Sequence, residues 1–284
     1  MITAEDYKVS INGIREAAYV LRDVITRTPL MRHEGWSELL EADIWLKRED
    51  LQVVRSYKIR GAYNKIQSLG DVARAKGIVC ASAGNHAQGV AMACRMKGIH
   101  GRIYMPVPTP DQKVKQVKLF GKEFVEIILV GDTFDDAYNE ARADEAETGA
   151  VFVHPFDDPH TIEGQGTVGL EIDEDLPVNP DYVIFPIGGG GLAAGISTYY
   201  KSIKPEVKLI GVEPEGAAAM KTSVEAGELI TLEKIDKFVD GAAVKRVGAY
   251  TFELCRHQLD KIITVPEGRV CTEILRLYNE DAIV

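Results

Sequence analysis

Four consecutive glycines, Gly188 to Gly191, follow the apolar run Asp181-Tyr-Val-Ile-Phe-Pro-Ile187 and open onto Leu192-Ala-Ala-Gly-Ile-Ser-Thr-Tyr. The pattern predicts a buried strand running into a turn without side chains, which becomes the first turn of a helix. Backbone N–H groups at a helix start have no intrahelical acceptor, and the helix dipole favours negative charge there. Glycines let the turn close into a concave cup and let an anion approach the main chain. The segment therefore reads as a phosphate cradle.

Elsewhere, short apolar strands alternate with helical spacing. Residues 42–47 read as a strand and 56–69 as a helix. Then come strand 77–81, helix 85–96, strand 101–105, helix 109–120 capped by Gly121, strand 124–130, helix 134–148 behind Asp132 or Thr133, and strand 151–153. A second series reads 182–186, 192–201, 208–213, 217–226, 262–265 and 270–279. Such alternation predicts parallel βαβ units, hence an α/β protein with two open, mostly parallel twisted sheets flanked by helices. The expected division is a small substrate-loop domain at 70–154 and a large domain of 1–69 plus 155–284, with a cleft between. The segments before and after the small domain are expected to share one sheet.

Composition narrows the partners. Of 284 residues, 33 are basic and 43 acidic, a net charge of −10 that offers no nucleic acid a basic footprint. No apolar stretch is long enough to span a bilayer, and the charged first eight residues lack a signal-peptide core. Cys80, Cys94, Cys255 and Cys271 are scattered without a C-x-x-C pair, which reads as buried reduced thiols in a cytoplasmic protein.

Two further segments carry chemistry. Lys58, in Ser56-Tyr-Lys-Ile-Arg-Gly61, falls at a helix start, where the dipole and neighbouring cations lower an amine's pKa and leave it free to attack a carbonyl. Ala81-Ser-Ala-Gly-Asn-His-Ala87 lies at the carboxyl end of a strand and opens a helix, the end where open α/β sheets bind ligands. The N–H groups of Gly84 to His86 and the Ser82 hydroxyl suit a carboxylate. Capping by Ser82 or Asn85 accounts for one residue of the run but not all of it. A rival pattern exists, because Gly188, Gly190 and Ala193 fit G-x-G-x-x-A with Glu213 at the end of the next strand, a weak dinucleotide fingerprint. That reading, a nicotinamide oxidoreductase, leaves Lys58 and the 82–86 loop unused. An amine, a carboxylate loop and a phosphate cup together fit a phosphorylated aldehyde, pyridoxal 5'-phosphate.

Ser56-Tyr-Lys-Ile-Arg-Gly-Ala-Tyr63, Ala81-Ser-Ala-Gly-Asn-His-Ala-Gln-Gly89 and Gly188-Gly-Gly-Gly-Leu192 resemble the motifs of fold type II pyridoxal-phosphate enzymes, and most closely the biosynthetic threonine dehydratases. Leu46-Lys-Arg-Glu-Asp50, His154-Pro-Phe-Asp-Asp158, Gly164-Gln-Gly-Thr167 and Asp240-Gly-Ala-Ala-Val244 add to the resemblance, which runs from about Thr28 to the C-terminus. It implies roles. Lys58 is the Schiff-base lysine and the base for the Cα proton. Asn85 bonds the cofactor's ring hydroxyl, Tyr57 flanks its ring, and Gly241 lines its pocket. Gly188, Gly189, Gly190, Gly191 and Leu192 bind its phosphate. The stretch Ser82, Ala83, Gly84, Asn85 and His86 holds the substrate carboxylate. The implied reaction is dehydration and deamination of threonine, and of serine beside it, by a cytoplasmic homo-oligomer.

Two departures separate relatives. Serine racemases of this fold carry an acid–base serine at the position of Ala83, which has no such chemistry. They also bind a divalent metal after Val-Glu-Pro, where Ala219 here replaces the second carboxylate beside Glu213, so no metal is expected. The family continues with Glu-Pro-x-Gly-Ala and Ser-Gly-Gly-Asn segments that do not occur here. Together with the uncapped apolar ending at Val284, this leads to the expectation of a shortened chain, with an inactive ligand-binding lobe as a further alternative.

Overall fold

The computed structural model describes residues 8–283, so the first seven residues, on which the signal-peptide expectation rests, and Val284 lie outside it. The chain opens with helix α1 (Ile11–Leu21), strand β1 (Leu30–Arg32), helix α2 (Glu34–Leu40), strand β2 (Trp45–Lys47) and helices α3 (Lys58–Gln67) and α4 (Asp71–Lys76). Strict alternation follows: β3 (Ile78–Ala81), α5 (Asn85–Lys97), β4 (Gly101–Met105), α6 (Asp111–Gly121), β5 (Val125–Leu129), α7 (Phe134–Thr148) and β6 (Val151–Phe152). Then come α8 (Pro159–Asp175), β7 (Tyr182–Pro186), α9 (Gly191–Ile203), β8 (Lys208–Pro214), α10 (Ala219–Ala226), α11 (Ala249–Gln258), β9 (Lys261–Val265) and α12 (Glu267–Asp281).

Two parallel sheets result, in strand orders β5-β4-β3-β6 and β7-β8-β9. The expected shared sheet does not form, because β1 and β2 pair only with each other, antiparallel. Helix packing joins the two halves instead. One face of α3 contributes Ile59, Ala62 and Ile66 to the core around β3, β4 and α5, while α3 also packs on α8, and α8 on α9 and α1. The second core gathers Ile14, Ile162, Phe185, Ile196 and Leu209 around β7, β8 and α9.

Helix α8 was not expected from the apolar spacing. Asp158 accepts from Thr161 N–H as its N-cap, and Pro159 follows at the first helical position. Its interior carries Gly164, Gly166 and Gly169, which lower helix propensity. The first two are required by close crossings: a Cβ on Gly164 would lie 2.4 Å from the Arg60 carbonyl oxygen, and one on Gly166 would lie 3.0 Å from that of Gly195, whereas one on Gly169 would make ordinary contact with Ile196. Backbone meets backbone there, and tertiary contact overrides propensity.

Buried charge fixes the same crossing. Arg60 is fully buried and donates to Glu49 (2.7 and 2.8 Å), Glu171 (2.7 and 2.8 Å) and Thr167 (3.0 Å). Lys47 completes the group, 2.7 Å from Glu171. Burial works against the Arg60 charge, but its hydrogen bonds to Glu171 and Glu49 outweigh that and raise its pKa.

Smaller differences have local causes. Helix α6 runs through Gly121 and ends at Lys122, itself at φ 49°, rather than at a glycine cap. Helix α7 starts where expected, and Thr133 rather than Asp132 closes a capping box with Asp136. Cys80, Cys94 and Cys255 are buried, but Cys271 is exposed on α12, and all four are free thiols.

Candidate active site

Lys58 is the first residue of α3, with Tyr57 ahead of it and no side chain capping the helix. Its amine, on a half-buried side chain, donates to the Pro155 carbonyl oxygen at 2.9 Å. The Tyr57 ring centroid lies 5.3 Å from the same nitrogen. Burial lowers the Lys58 pKa from 10.5 to about 8.

The 82–86 loop sits beside this amine because α5 crosses α3 at Gly89. A Cβ there would lie 3.0 Å from the Lys58 carbonyl carbon and 3.0 Å from the Ile59 nitrogen. Ser82 accepts from Gly84 N–H at 3.2 Å, which turns the loop. Ser82, Ala83 and Gly84 are half-buried and Asn85 is exposed at the start of α5. A Cβ on Gly84 would meet nothing within 4 Å, so this stretch borders open space. His86 points the other way, its Nε2 donating to the Val153 carbonyl at 2.8 Å. Its Nδ1 has no partner among the described residues. Burial, then the neighbouring Lys58 charge, pushes its pKa down to about 3, so the ring is neutral.

The tetraglycine closes the far side. Ile187 N–H still donates to Val212 in the sheet, and Ala194 N–H makes the first bond of α9, to the Gly190 carbonyl. Gly190, at φ 97°, brings no side-chain cap. The N–H groups between these two bonds thus face the turn without an acceptor among the described residues. Packing explains the four glycines. A Cβ on Gly189 would lie 2.2 Å from the Phe156 ring, one on Gly190 2.7 Å from Met220 Cε, and one on Gly191 2.5 Å from Gln165 Oε1. Gly188 lies against Gly241 and Ala242, and Leu192 is buried behind the turn. Gly241 itself is exposed, with nothing within 4 Å of its Cβ position. The neighbouring Asp240 pairs with Lys113 of α6, across the opening.

The segment His154–Asp158, noted in the sequence only as a resemblance, is the hub. The Pro155 carbonyl takes Lys58 Nζ and, at 3.1 Å, Gln165 Nε2. The Phe156 ring lines Gly189. Asp157 caps α11 by accepting from Ala249, Tyr250 and Thr251 N–H groups, and Thr251 Oγ1 donates to the Gly189 carbonyl at 2.7 Å. His154 Nδ1 accepts from Phe156 and Asp157 N–H groups. Burial holds His154 down to about 4, so it too is neutral. Pro155 and Phe156 of this segment, with Gln165 of α8, therefore connect amine and cup. The Asp158-Pro159 pair was a legible helix-start signal for this region; the bridging role of Pro155 and Gln165 had none.

Glu213 does not serve the rival dinucleotide reading. Its buried carboxylate turns inward and accepts from Met220 and Lys221 N–H groups, each at 2.8 Å, at the start of α10. Burial lifts its pKa to about 7 against those two bonds. Among the described residues, no group of three His, Cys, Asp or Glu is placed to hold a metal ion, and no helix is long and apolar enough to cross a membrane.

A buried-face amine at one helix start and a glycine turn at another, linked through Pro155 and Gln165, are arranged as in a pyridoxal-phosphate enzyme of fold type II. The chain belongs to the pyridoxal-phosphate dependent enzyme family, whose model matches residues 21–284. It is 56% identical over 277 residues to L-threonine dehydratase biosynthetic IlvA of Halalkalibacterium halodurans, covering 98% of this chain and 67% of that one. It thus spans about two thirds of the length of the curated relatives it matches. Among solved structures it is similar to the processed form of threonine deaminase isoform 2 from Solanum lycopersicum (TM-score 0.91, 38% identity, 98% and 82% of the two chains). It is also similar to maize serine racemase (TM-score 0.92, 34% identity, 98% and 83%).

Proposed function

We propose that the chain eliminates water from L-threonine, and from L-serine beside it, giving 2-oxobutyrate or pyruvate and ammonia in isoleucine biosynthesis. The observation that carries the site is the Pro155 carbonyl, shared by Lys58 and by the Gln165 that abuts Gly191. The substrate reading draws on the likeness to biosynthetic threonine dehydratases.

The residues fit pyridoxal phosphate. The unpartnered N–H groups of 188–192 at the start of α9 suit its phosphate, and the glycine surface leaves no Cβ in the way. Lys58 would hold its aldehyde end, with Tyr57 beside the ring, Asn85 at the ring hydroxyl and Gly241 at the pocket edge. When bound, this group supplies a carbonyl that condenses with amines and a conjugated system that accepts the electron pair left at Cα. The chain's residues do the rest. Ser82, the main chain of Ala83 and Gly84, Asn85 and the N–H of His86 orient the substrate carboxylate. Lys58 Nζ takes the Cα proton. Burial lowers the pKa of this amine to about 8, which favours its neutral, basic form relative to that of an ordinary lysine. His86 and His154 stay neutral and add no competing charge.

Ala83 offers no acid or base on the opposite face, which favours elimination over racemisation despite the likeness to serine racemase. The small domain at 70–154, a cytoplasmic location and a homo-oligomeric state belong to the same reading. The test is steady-state turnover. Purified protein with pyridoxal phosphate should release 2-oxobutyrate from L-threonine, and Lys58→Ala should lower the rate at least a thousandfold. Formation of D-serine from L-serine without oxo acid would overturn the proposal.

A further inference from the structure

We infer that Gln165 is a positioning residue for Lys58: its side-chain amide shares the Pro155 carbonyl with the lysine amine and sets where that amine rests when it is not covalently engaged. This rests on the reading that Lys58 is the working amine.

The geometry is specific. Gln165 is fully buried in α8, its Nε2 donates to the Pro155 oxygen at 3.1 Å, and Lys58 Nζ donates to the same oxygen at 2.9 Å. A carbonyl oxygen has two lone pairs, and both are used. Two consequences follow. When Lys58 leaves, Pro155 keeps a donor, so departure strands no buried carbonyl. While Lys58 stays, the positive end of the amide dipole faces the same oxygen as the amine, which weakens that oxygen as an acceptor for an ammonium and favours the neutral base. The other end of the amide, Oε1, has no hydrogen-bond partner among the described residues and abuts Gly191. One side chain therefore spans from the amine's resting place to the glycine cup. The titratable groups facing Lys58 are His86 of α5, His154 of the connecting segment and Tyr57 just ahead of α3. Both histidines are neutral through the range in which Lys58 titrates.

The test uses cofactor-free protein. Wild type, Gln165→Met and Gln165→Glu are labelled with acetic anhydride across pH 6–11, and Lys58 acetylation is read by peptide mass spectrometry. Gln165→Met removes the competing donor and Gln165→Glu adds a carboxylate. Both should move the Lys58 midpoint upward by at least about half a pH unit, lowering labelling at pH 7.5 about threefold. The order should be Glu beyond Met. Profiles that superimpose on wild type in folded variants would overturn the inference. A second measurement needs no Gln165 variant: the Gln165 side-chain amide resonances of wild type should titrate with the Lys58 midpoint and lose that titration in Lys58→Met. Resonances that stay flat from pH 6 to 10 would overturn it equally. Failure of the parent reading looks different, since pyridoxal phosphate would then leave Lys58 unmodified whatever occupies position 165.

Discussion

Replacing Lys58 by Met should stabilise the cofactor-free protein, because the amine is retained against the interests of the fold. Each tenfold change in proton affinity between folded and unfolded states is worth about 1.4 kcal/mol. The fall from 10.5 to about 8 therefore corresponds to roughly 3 kcal/mol of burial cost at neutral pH. Lys58 keeps some exposure to the cleft, which trims this, and losing the contact with the Tyr57 ring gives back about 0.5 kcal/mol. The Pro155 carbonyl is not stranded, since Gln165 still donates to it. The net gain is about 1–3 kcal/mol, or roughly 2–8 °C in Tm for a chain of this size. The sign with pH follows from linkage. The folded pKa is depressed, so the unfolded state binds the extra proton between pH 8 and 10.5, and wild-type stability rises across that window relative to the variant. The charge-burial part of the Lys58→Met advantage is thus full below pH 8 and shrinks to about 0.4 kcal/mol by pH 10.5, where the lost Tyr57 contact offsets it and the net advantage disappears. Scanning calorimetry of both proteins at pH 7 and 10.5 measures it. A variant no more stable than wild type at pH 7, or a gain equal at both pH values, would refute the reasoning.

Three other perturbations probe separate parts of the structure. Arg60→Met strips the guanidinium from the buried Glu171 and the half-buried Glu49 carboxylates and should cost about 3–5 kcal/mol in urea unfolding; a loss under 1 kcal/mol would show that the network does not hold α3 on α8. Gly190→Ala puts a Cβ 2.7 Å from Met220 at φ 97°, so it should cost about 1–3 kcal/mol. It should also weaken pyridoxal phosphate at least tenfold in equilibrium dialysis while leaving unphosphorylated pyridoxal unchanged. Glu213 has its pKa raised from 4.5 to about 7, so the folded state holds the extra proton and its contribution fades as pH rises through that window. Relative to wild type, Glu213→Gln should gain stability between pH 5 and pH 8 by urea midpoint, and an identical gap at both pH values would contradict this.

What the sequence made legible follows a physical division. Motifs that need fixed backbone geometry at strand ends, such as Gly188–Gly191 and the 82–86 loop, could be placed because their chemistry is local. Phe134–Thr148 was readable to the residue, since its caps and spacing agree. The Asp158-Pro159 start of helix α8 carries a local signal, but its interior was not readable, because Gly164 and Gly166 answer to Arg60 and Gly195 on other helices. The tetraglycine was read as a cradle for an anion. The structure adds that Phe156, Gln165 and Met220 crowd the same positions, a constraint no local pattern carries. The shared sheet fails for a related reason: β1 and β2 are three residues each and pair with each other rather than with β7, β8 or β9. Pro155 acts through its carbonyl, which every residue has, so its importance could not be seen in residue type.

The central claim is that one ligand bridges Lys58 and the tetraglycine. Incubation with pyridoxal phosphate, reduction with borohydride and peptide mass mapping tests it directly. A single phosphopyridoxyl adduct on Lys58, abolished when inorganic phosphate saturates the glycine cup, is the predicted result. Adducts spread over surface lysines with Lys58 unmodified would contradict it.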